Sequence, residues 1–261
     1  AALVQAAKNG NTSEVQLLLD ASIDVNATDD KGVTALMWAA FKGQTACLQA
    51  LLDKNANIEA RDARKMTALI WAAEENQTQS LQLLIDHNAD VDARDKRGMT
   101  AMTWAAHKGH SACLQLLIAA NAKTINRVDK RHMTALTWAS RSGQDTCAQL
   151  LVDAKVNVVA RDKDGKTALI WAAENGHTSC VRLLVDAGAH KEVKDTQVYL
   201  EAKDMKGRTA LIWAVENDQP ACLELLINAK ANIRPLYGKR QTPLFTAAVK
   251  GYTACVRMLL K

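Results

Sequence analysis

The sequence predicts an all-α solenoid of eight helix-turn-helix repeats with short finger loops. Three observations predict it: a seven-residue string that recurs in register, two helical apolar patterns after each copy, and turn residues at fixed offsets. The string Thr-Ala-Leu-x-Trp-Ala-Ala, or a near variant, starts at Thr34, Thr67, Thr100, Thr134, Thr167 and Thr209, and Thr-Pro-Leu-Phe-Thr-Ala-Ala starts at Thr242. Successive starts lie 33, 33, 34, 33, 42 and 33 residues apart. Counting 33 residues back from Thr34 reaches Ala1, where Leu3, Ala6, Ala7 and Gly10 keep the pattern. A period of this size marks stacked repeats, each burying its apolar face against its neighbours. The expectation is one array over 1–261, with repeats starting near 1, 34, 67, 100, 134, 167, 209 and 242 and the last one cut short.

Each repeat reads the same way. In the second, Thr34 is a suitable N-cap and Ala35 to Lys42 are mostly helix formers. Gly43 ends that helix. Thr45 to Lys54 forms a second helix, with Cys47, Leu48, Leu51 and Leu52 at helical apolar spacing. Asn55-Ala56-Asn57 turns the chain, and the segment equivalent to Asp62 to Met66 leads to the next Thr.

Composition fits an ordinary folded protein: of 261 residues, 48% are hydrophobic and 23% charged. A net charge of +5 permits acidic partners without demanding nucleic acid. No run of 18 apolar residues exists, so no membrane insertion by this segment is expected. Ala1 opens no charged and apolar leader. The start without Met, and the end inside an apolar helical pattern, suggest part of something longer.

These motifs resemble the ankyrin repeat. The family's Thr-Pro-Leu-His-x-Ala-Ala is matched by Thr67 to Ala73, its Asp-x-x-Gly-x-Thr by Asp162 to Thr167, and its Gly-Ala-Asp-Val-Asn-Ala by Asn88 to Ala93. Within that family the Trp-rich string is most similar to the ankyrin-rich membrane-spanning scaffold of neurons and to large protist ankyrin proteins. The resemblance implies binding of another protein or an extended peptide. Two departures stand out. Ala replaces Pro except at Pro243, and the His position holds Met37, Ile70, Thr103, Thr137, Ile170, Ile212 and Phe245. In the family that His ties neighbouring repeats together, so here those links need another source.

Six of the eleven aromatic residues are Trp. On a helical wheel, Leu36, Ala39, Ala40 and Gly43 share an arc of about 100°, and Trp38 falls opposite it. Phe41 lies three residues after Trp38, and the same position later holds Glu74, His107, Arg141, Glu174 and Glu216. Those residues share no chemistry, so a wet face is expected. The resemblance places this face on the concave groove. Two readings follow for Trp38, Trp71, Trp104, Trp138, Trp171 and Trp213. One is a ladder of partner-binding residues, spanning roughly 50 Å at about 10 Å per repeat, long enough for about 15 extended residues. The other is mortar, each ring packing between neighbouring repeats. The end repeats carry Gln5 and Thr246 in place of Trp.

The finger tips are basic, with Lys31, Arg64, Lys96, Arg97, Lys130, Arg131, Lys163, Lys166, Lys206, Arg208, Lys239 and Arg240. They form either a rim that steers an acidic partner or a solvated edge. No aromatics are interleaved with them, which makes nucleic acid unlikely. The 42-residue interval contains a nine-residue insertion within about 190–203: Lys191 to Asp195 is echoed by Leu200 to Asp204. It is expected to lengthen one finger and to present Val198, Tyr199 and Leu200 at its tip, with Tyr199 a candidate contact.

Cys47, Cys113, Cys147, Cys180, Cys222 and Cys255 share one core position of the second helix. Equivalent positions about 10 Å apart cannot form disulfides, so a reducing compartment, cytoplasm or nucleus, is expected. His107, His110 and Cys113 offer metal-like spacing, but His110 fills a turn position held elsewhere by Gln44, Gln144 and His177. No metal, cofactor or catalytic residue is expected, since no phosphate loop, nucleophile elbow or ligand pair occurs. The function expected is an interaction scaffold using the concave first-helix face and the fingers. The alternatives are a structural component of a larger assembly and, more remotely, a sensor of a phosphorylated ligand or nucleic acid.

Overall fold

The computed structural model describes residues 2–120, 124–190, 199–238 and 241–261, without the side chains of 189 and 190. The chain divides into two compact halves, Ala1–Lys130 and Arg131–Lys261. The described residues form sixteen helices and no strand. The N-terminal half holds α1 (Ala2–Asn9), α2 (Thr12–Asp20), α3 (Ala35–Lys42), α4 (Thr45–Asp53), α5 (Ala68–Glu74), α6 (Thr78–Asp86), α7 (Ala101–Lys108) and α8 (Ser111–Ala120). The C-terminal half holds α9 (Ala135–Ser142), α10 (Asp145–Asp153), α11 (Ala168–Glu174), α12 (Thr178–His190), α13 (Ala210–Glu216), α14 (Pro220–Asn228), α15 (Pro243–Lys250) and α16 (Thr253–Leu259).

Within each half, odd-numbered helices pack on odd neighbours and even on even, giving two layers. Local chemistry sets the boundaries. Every recurring Thr caps its helix: Thr34 Oγ1 accepts the Met37 N–H at 3.2 Å, and Thr67, Thr100, Thr134, Thr167, Thr209 and Thr242 repeat the bond. Such a cap contributes about 1 kcal/mol. Gly43 leaves the helix in the left-handed region (φ 70°), and a Cβ there would lie 2.2 Å from Gln77 Oε1 of the next repeat. Glycine takes this left-handed conformation without strain, and the same slot elsewhere holds Asn76 and Asp218, also at positive φ.

Of the residues at the family's His position, Met37, Ile70, Thr103, Thr137, Ile170 and Ile212 are buried and Phe245 is exposed. Finger backbones supply links between repeats instead. Lys96 N donates to Arg64 O at 2.7 Å and Lys130 N to Arg97 O at 3.0 Å in the N-terminal half. Lys163 N donates to Arg131 O at 3.0 Å and Met205 N to Asp164 O at 2.9 Å in the C-terminal half.

The six cysteines are buried and free. Burial pushes the Cys147 thiol up to about 11, which keeps it protonated at neutral pH.

The insertion requires a correction. Lys191 to Val198 lie outside the described residues. Tyr199 and Leu200, expected at an exposed finger tip, are each only 2% exposed. The insertion's leading side extends helix: α12 runs 13 residues where α10 and α14 run 9. The Tyr199 ring covers Gly188 so closely that a Cβ would lie 2.4 Å from its Cδ1. Tyr199 is a core residue, not a contact residue. The core claims it because a large ring gains more by burial than a loop tip can offer.

Candidate functional site

The site begins at the finger Asp. Asp162 Oδ1 accepts the N–H groups of Asp164 (2.9 Å) and Lys166 (2.8 Å), which folds the finger into a tight turn. Its other oxygen accepts the Trp171 indole N–H at 2.8 Å. The same indole bond joins Trp38 to Asp29, Trp104 to Asp95 and Trp213 to Asp204, each at 3.1 Å. At Asp29 burial works to raise the carboxyl, yet the N–H donors of Val33, Trp38 and Lys31 hold it below the usual carboxylate range. Asp62 keeps the two backbone bonds, at 2.8 Å each, but the buried Trp71 Nε1 lacks a partner among the described residues. In the last repeat Tyr237 and Thr246 hold the same two positions, and their hydroxyls meet at 2.5 Å. The pair is thus exchanged as a pair, which marks it as one structural device.

The rings are not on a wet face. Trp71, Trp104, Trp138 and Trp171 are 6–7% exposed, and Trp38 and Trp213 are half-buried. The wheel places Trp opposite the apolar stripe, but it considers one helix alone. The preceding finger folds back and covers the ring.

Cations complete the cover. In the N-terminal half, Lys8 lies 4.3 Å from the Trp38 ring, Arg64 4.8 Å from Trp71 and Arg97 5.9 Å from Trp104. Phe41 meets Trp38 and Trp71 edge-on, at 5.7 and 4.9 Å. In the C-terminal half, Arg141 sits between Trp138 (5.2 Å) and Trp171 (4.6 Å), and Lys166 between Trp171 (4.1 Å) and Trp213 (3.8 Å). Arg208 covers Trp213 at 3.7 Å. Each such contact stabilises by roughly 0.5–2 kcal/mol, more when water is excluded.

The acidic residues three positions after Trp clamp those cations. Glu74 pairs with Arg64 at 3.6 Å, Glu174 with Lys166 at 2.5 Å and Glu216 with Arg208 at 3.1 Å. Burial pushes the Glu74 carboxyl up, against the pull of Arg64. His107, in the same slot, lies 6.1 Å from the Trp104 ring. The candidates Trp71, Arg64 and Glu74 are therefore brought together, as are Trp171, Glu174 and Arg141, and Trp213 and Glu216. Lys8, Lys166 and the finger Asp residues belong to the same clusters.

Among the described residues Lys166 is the most enclosed cation, with 9% of its side chain exposed. The equivalent positions hold Met66, Met99 and Met133. A buried ion pair is often replaced by two apolar side chains at little cost, whereas removing one partner strands the other charge. Lys166→Met combined with Glu174→Leu is therefore expected to change unfolding free energy by less than about 1 kcal/mol, measured by urea denaturation, and Lys166→Met alone, which leaves Glu174 without its cation, to cost more. A loss above about 3 kcal/mol in the double variant would show that the ammonium itself holds the rings.

The basic rim is only partly free. Arg94 donates to Gly98 O at 3.1 Å and to Val128 O, and Arg161 to Gly165 O at 3.1 Å and to Lys203 O. These arginines fasten neighbouring fingers. Arg64, Arg97 and Arg131 remain exposed, as do Lys31, Lys96, Lys130, Lys163 and Lys206. Lys239 and Arg240 lie outside the described residues. His110 Nε2 donates to Glu74 O at 3.0 Å, which accounts for the metal-like spacing. Among the described residues no group of three or more metal-ligating side chains occurs.

A family model described as ankyrin repeats in three copies matches residues 1–62, 59–129, 121–195 and 196–261. The chain belongs to the ankyrin-repeat family. The crystal structure of the human ASB11 ankyrin repeat domain is similar to this array, with a TM-score of 0.76 and 21% identity. That similarity covers 89% of this chain and 99% of the ASB11 domain, and it concerns the fold alone. Comparison with curated protein sequences gives no match. Ankyrin repeats are in general protein-interaction modules, and no described helix here is long and apolar enough to cross a membrane.

Proposed function

We propose that this ankyrin array is an interaction scaffold that binds a partner protein or extended peptide through its finger loops and the polar groups covering its first helices. The contrast between its two sides supports this reading. The outward side of the second helices satisfies itself: Gln16, Gln49, Gln82 and Gln149 each donate to the Asp four residues on, at 3.1, 2.7, 2.7 and 2.9 Å. The finger segments instead expose Val128, Val159 and Met205, and expose Lys96, Arg97 and Lys206 as well. Apolar side chains among basic groups on rigid loops offer both contact area and steering. The role is binding, not catalysis, and the six free thiols fit a reducing compartment such as the cytoplasm.

Photocrosslinkers at Lys96 and Met205, compared with Gln82 and Gln149, test the reading in cell extract. Adducts from the finger positions are expected, and adducts confined to the helix positions would contradict it.

A further inference from the structure

We propose that the gap between the finger carrying Arg64 and the finger carrying Lys96 and Arg97 receives an acidic side chain of the bound partner. The inference rests on the fingers being the contact face. The repeats themselves supply the argument. Where a finger cation covers Trp71, Trp171 or Trp213, a Glu three residues after the Trp pairs with that cation. At Trp104 the Glu slot holds His107. Arg97 there stands 5.9 Å from the ring, farther than the 3.7–5.2 Å of the other indole–cation contacts. No ion pair joins Arg97 to a carboxylate among the described residues. One carboxylate is missing from a device that otherwise contains it.

The missing group has room. A cavity of about 220 Å³ opens at this place, lined by Arg64, Met66, Asp95, Lys96, Arg97 and Trp104. Asp95 also lines the cavity, but its oxygens are engaged by the protein's own N–H donors and form no ion pair with Lys96 or Arg97. Its oxygens already accept the N–H groups of Arg97 (2.8 Å), Met99 (2.8 Å) and the Trp104 indole (3.1 Å). Arg64 shares its charge with Glu74, while Lys96 and Arg97 are exposed. Met66 and Trp104 give the cavity an apolar lining suited to the methylene stem of a Glu side chain. The Lys96 N to Arg64 O bond, at 2.7 Å, holds the two fingers at a fixed spacing, so the site is formed before the partner arrives.

A fluorescent peptide alternating Glu and Leu, titrated into the full chain by anisotropy, tests the proposal. Its Gln-for-Glu and phosphoserine-for-Glu versions serve as comparisons. The Glu peptide is expected to bind, and the Gln peptide not to. Arg97→Gln should weaken binding about tenfold, the effect of one charge-assisted contact. His107→Glu should weaken it at least as much, because the protein then supplies its own carboxylate. That variant copies the residue of three other repeats, and an unchanged melting curve will verify that it folds. Binding insensitive to His107→Glu overturns the proposal. So does a phosphoserine peptide that binds more than about tenfold tighter, which would assign the gap to phosphate. If no acidic peptide binds while photocrosslinks still map to the fingers, this inference falls and the scaffold reading stands. Crosslinks confined to the second helices would defeat the scaffold reading itself.

Discussion

Trp171→Ala is expected to lower unfolding free energy by about 3–5 kcal/mol, the usual cost of emptying a large buried aromatic site. The ring is 7% exposed, lies between Arg141 and Lys166, and bonds Asp162 through its N–H. Removing it opens a cavity and strips cover from two cations at once. In a repeat array the loss is felt at both neighbouring interfaces, because stability is a sum of repeat and interface terms. Urea denaturation, followed by circular dichroism, reads the effect. A loss below about 1 kcal/mol together with abolished partner binding would return the ring to the role of a contact residue.

Asp162→Ala is expected to cost a similar amount by a different route. It leaves three donors without their acceptor: the backbone N–H groups of Asp164 and Lys166 and the Trp171 indole. Each unsatisfied buried donor costs about 1–3 kcal/mol. Asp164 is exposed and its N–H can turn to water, so the total should fall near 3–5 kcal/mol. Asp162→Asn gives the sharper comparison. Its remaining oxygen can keep the turn while its NH₂ faces the indole donor, so about half the loss is expected. Equal losses for Asn and Ala would mean that the indole bond, not the turn, carries the stability.

The period, the Thr caps and the core cysteines were legible in the sequence because they depend on contacts inside one repeat or between identical ones. The burial of Trp was not legible from a wheel, since the covering group lies nine residues upstream in a loop. A signal for it existed all the same. Asp precedes Trp by nine residues at Asp29, Asp62, Asp95, Asp129, Asp162 and Asp204, and the last repeat exchanges both members for Tyr237 and Thr246. The clamps Lys166–Glu174 and Arg208–Glu216 show a matching eight-residue spacing. The mixed chemistry three residues after Trp, read as wetness, is better read as a set of filled slots: Glu74, Glu174 and Glu216 clamp finger cations, Phe41 and Arg141 pack on the indoles themselves, and His107 leaves Arg97 without a carboxylate. The fate of Tyr199 was out of reach. A duplicated segment can be counted, but whether it extends a loop or a helix is decided by what the core accepts.

Trp38, Trp104, Trp171 and Trp213 are fastened through their indole N–H groups to the protein's own fingers. Hydrogen exchange of the indole N–H groups, followed by ¹⁵N–¹H NMR on the chain alone, tests this fastening most directly. Trp104 and Trp171, buried and bonded to Asp95 and Asp162, should exchange more than about a hundredfold slower than free indole, since exchange needs local opening of the repeat. Exchange of both at the free-indole rate would place the rings on an open groove and contradict the account.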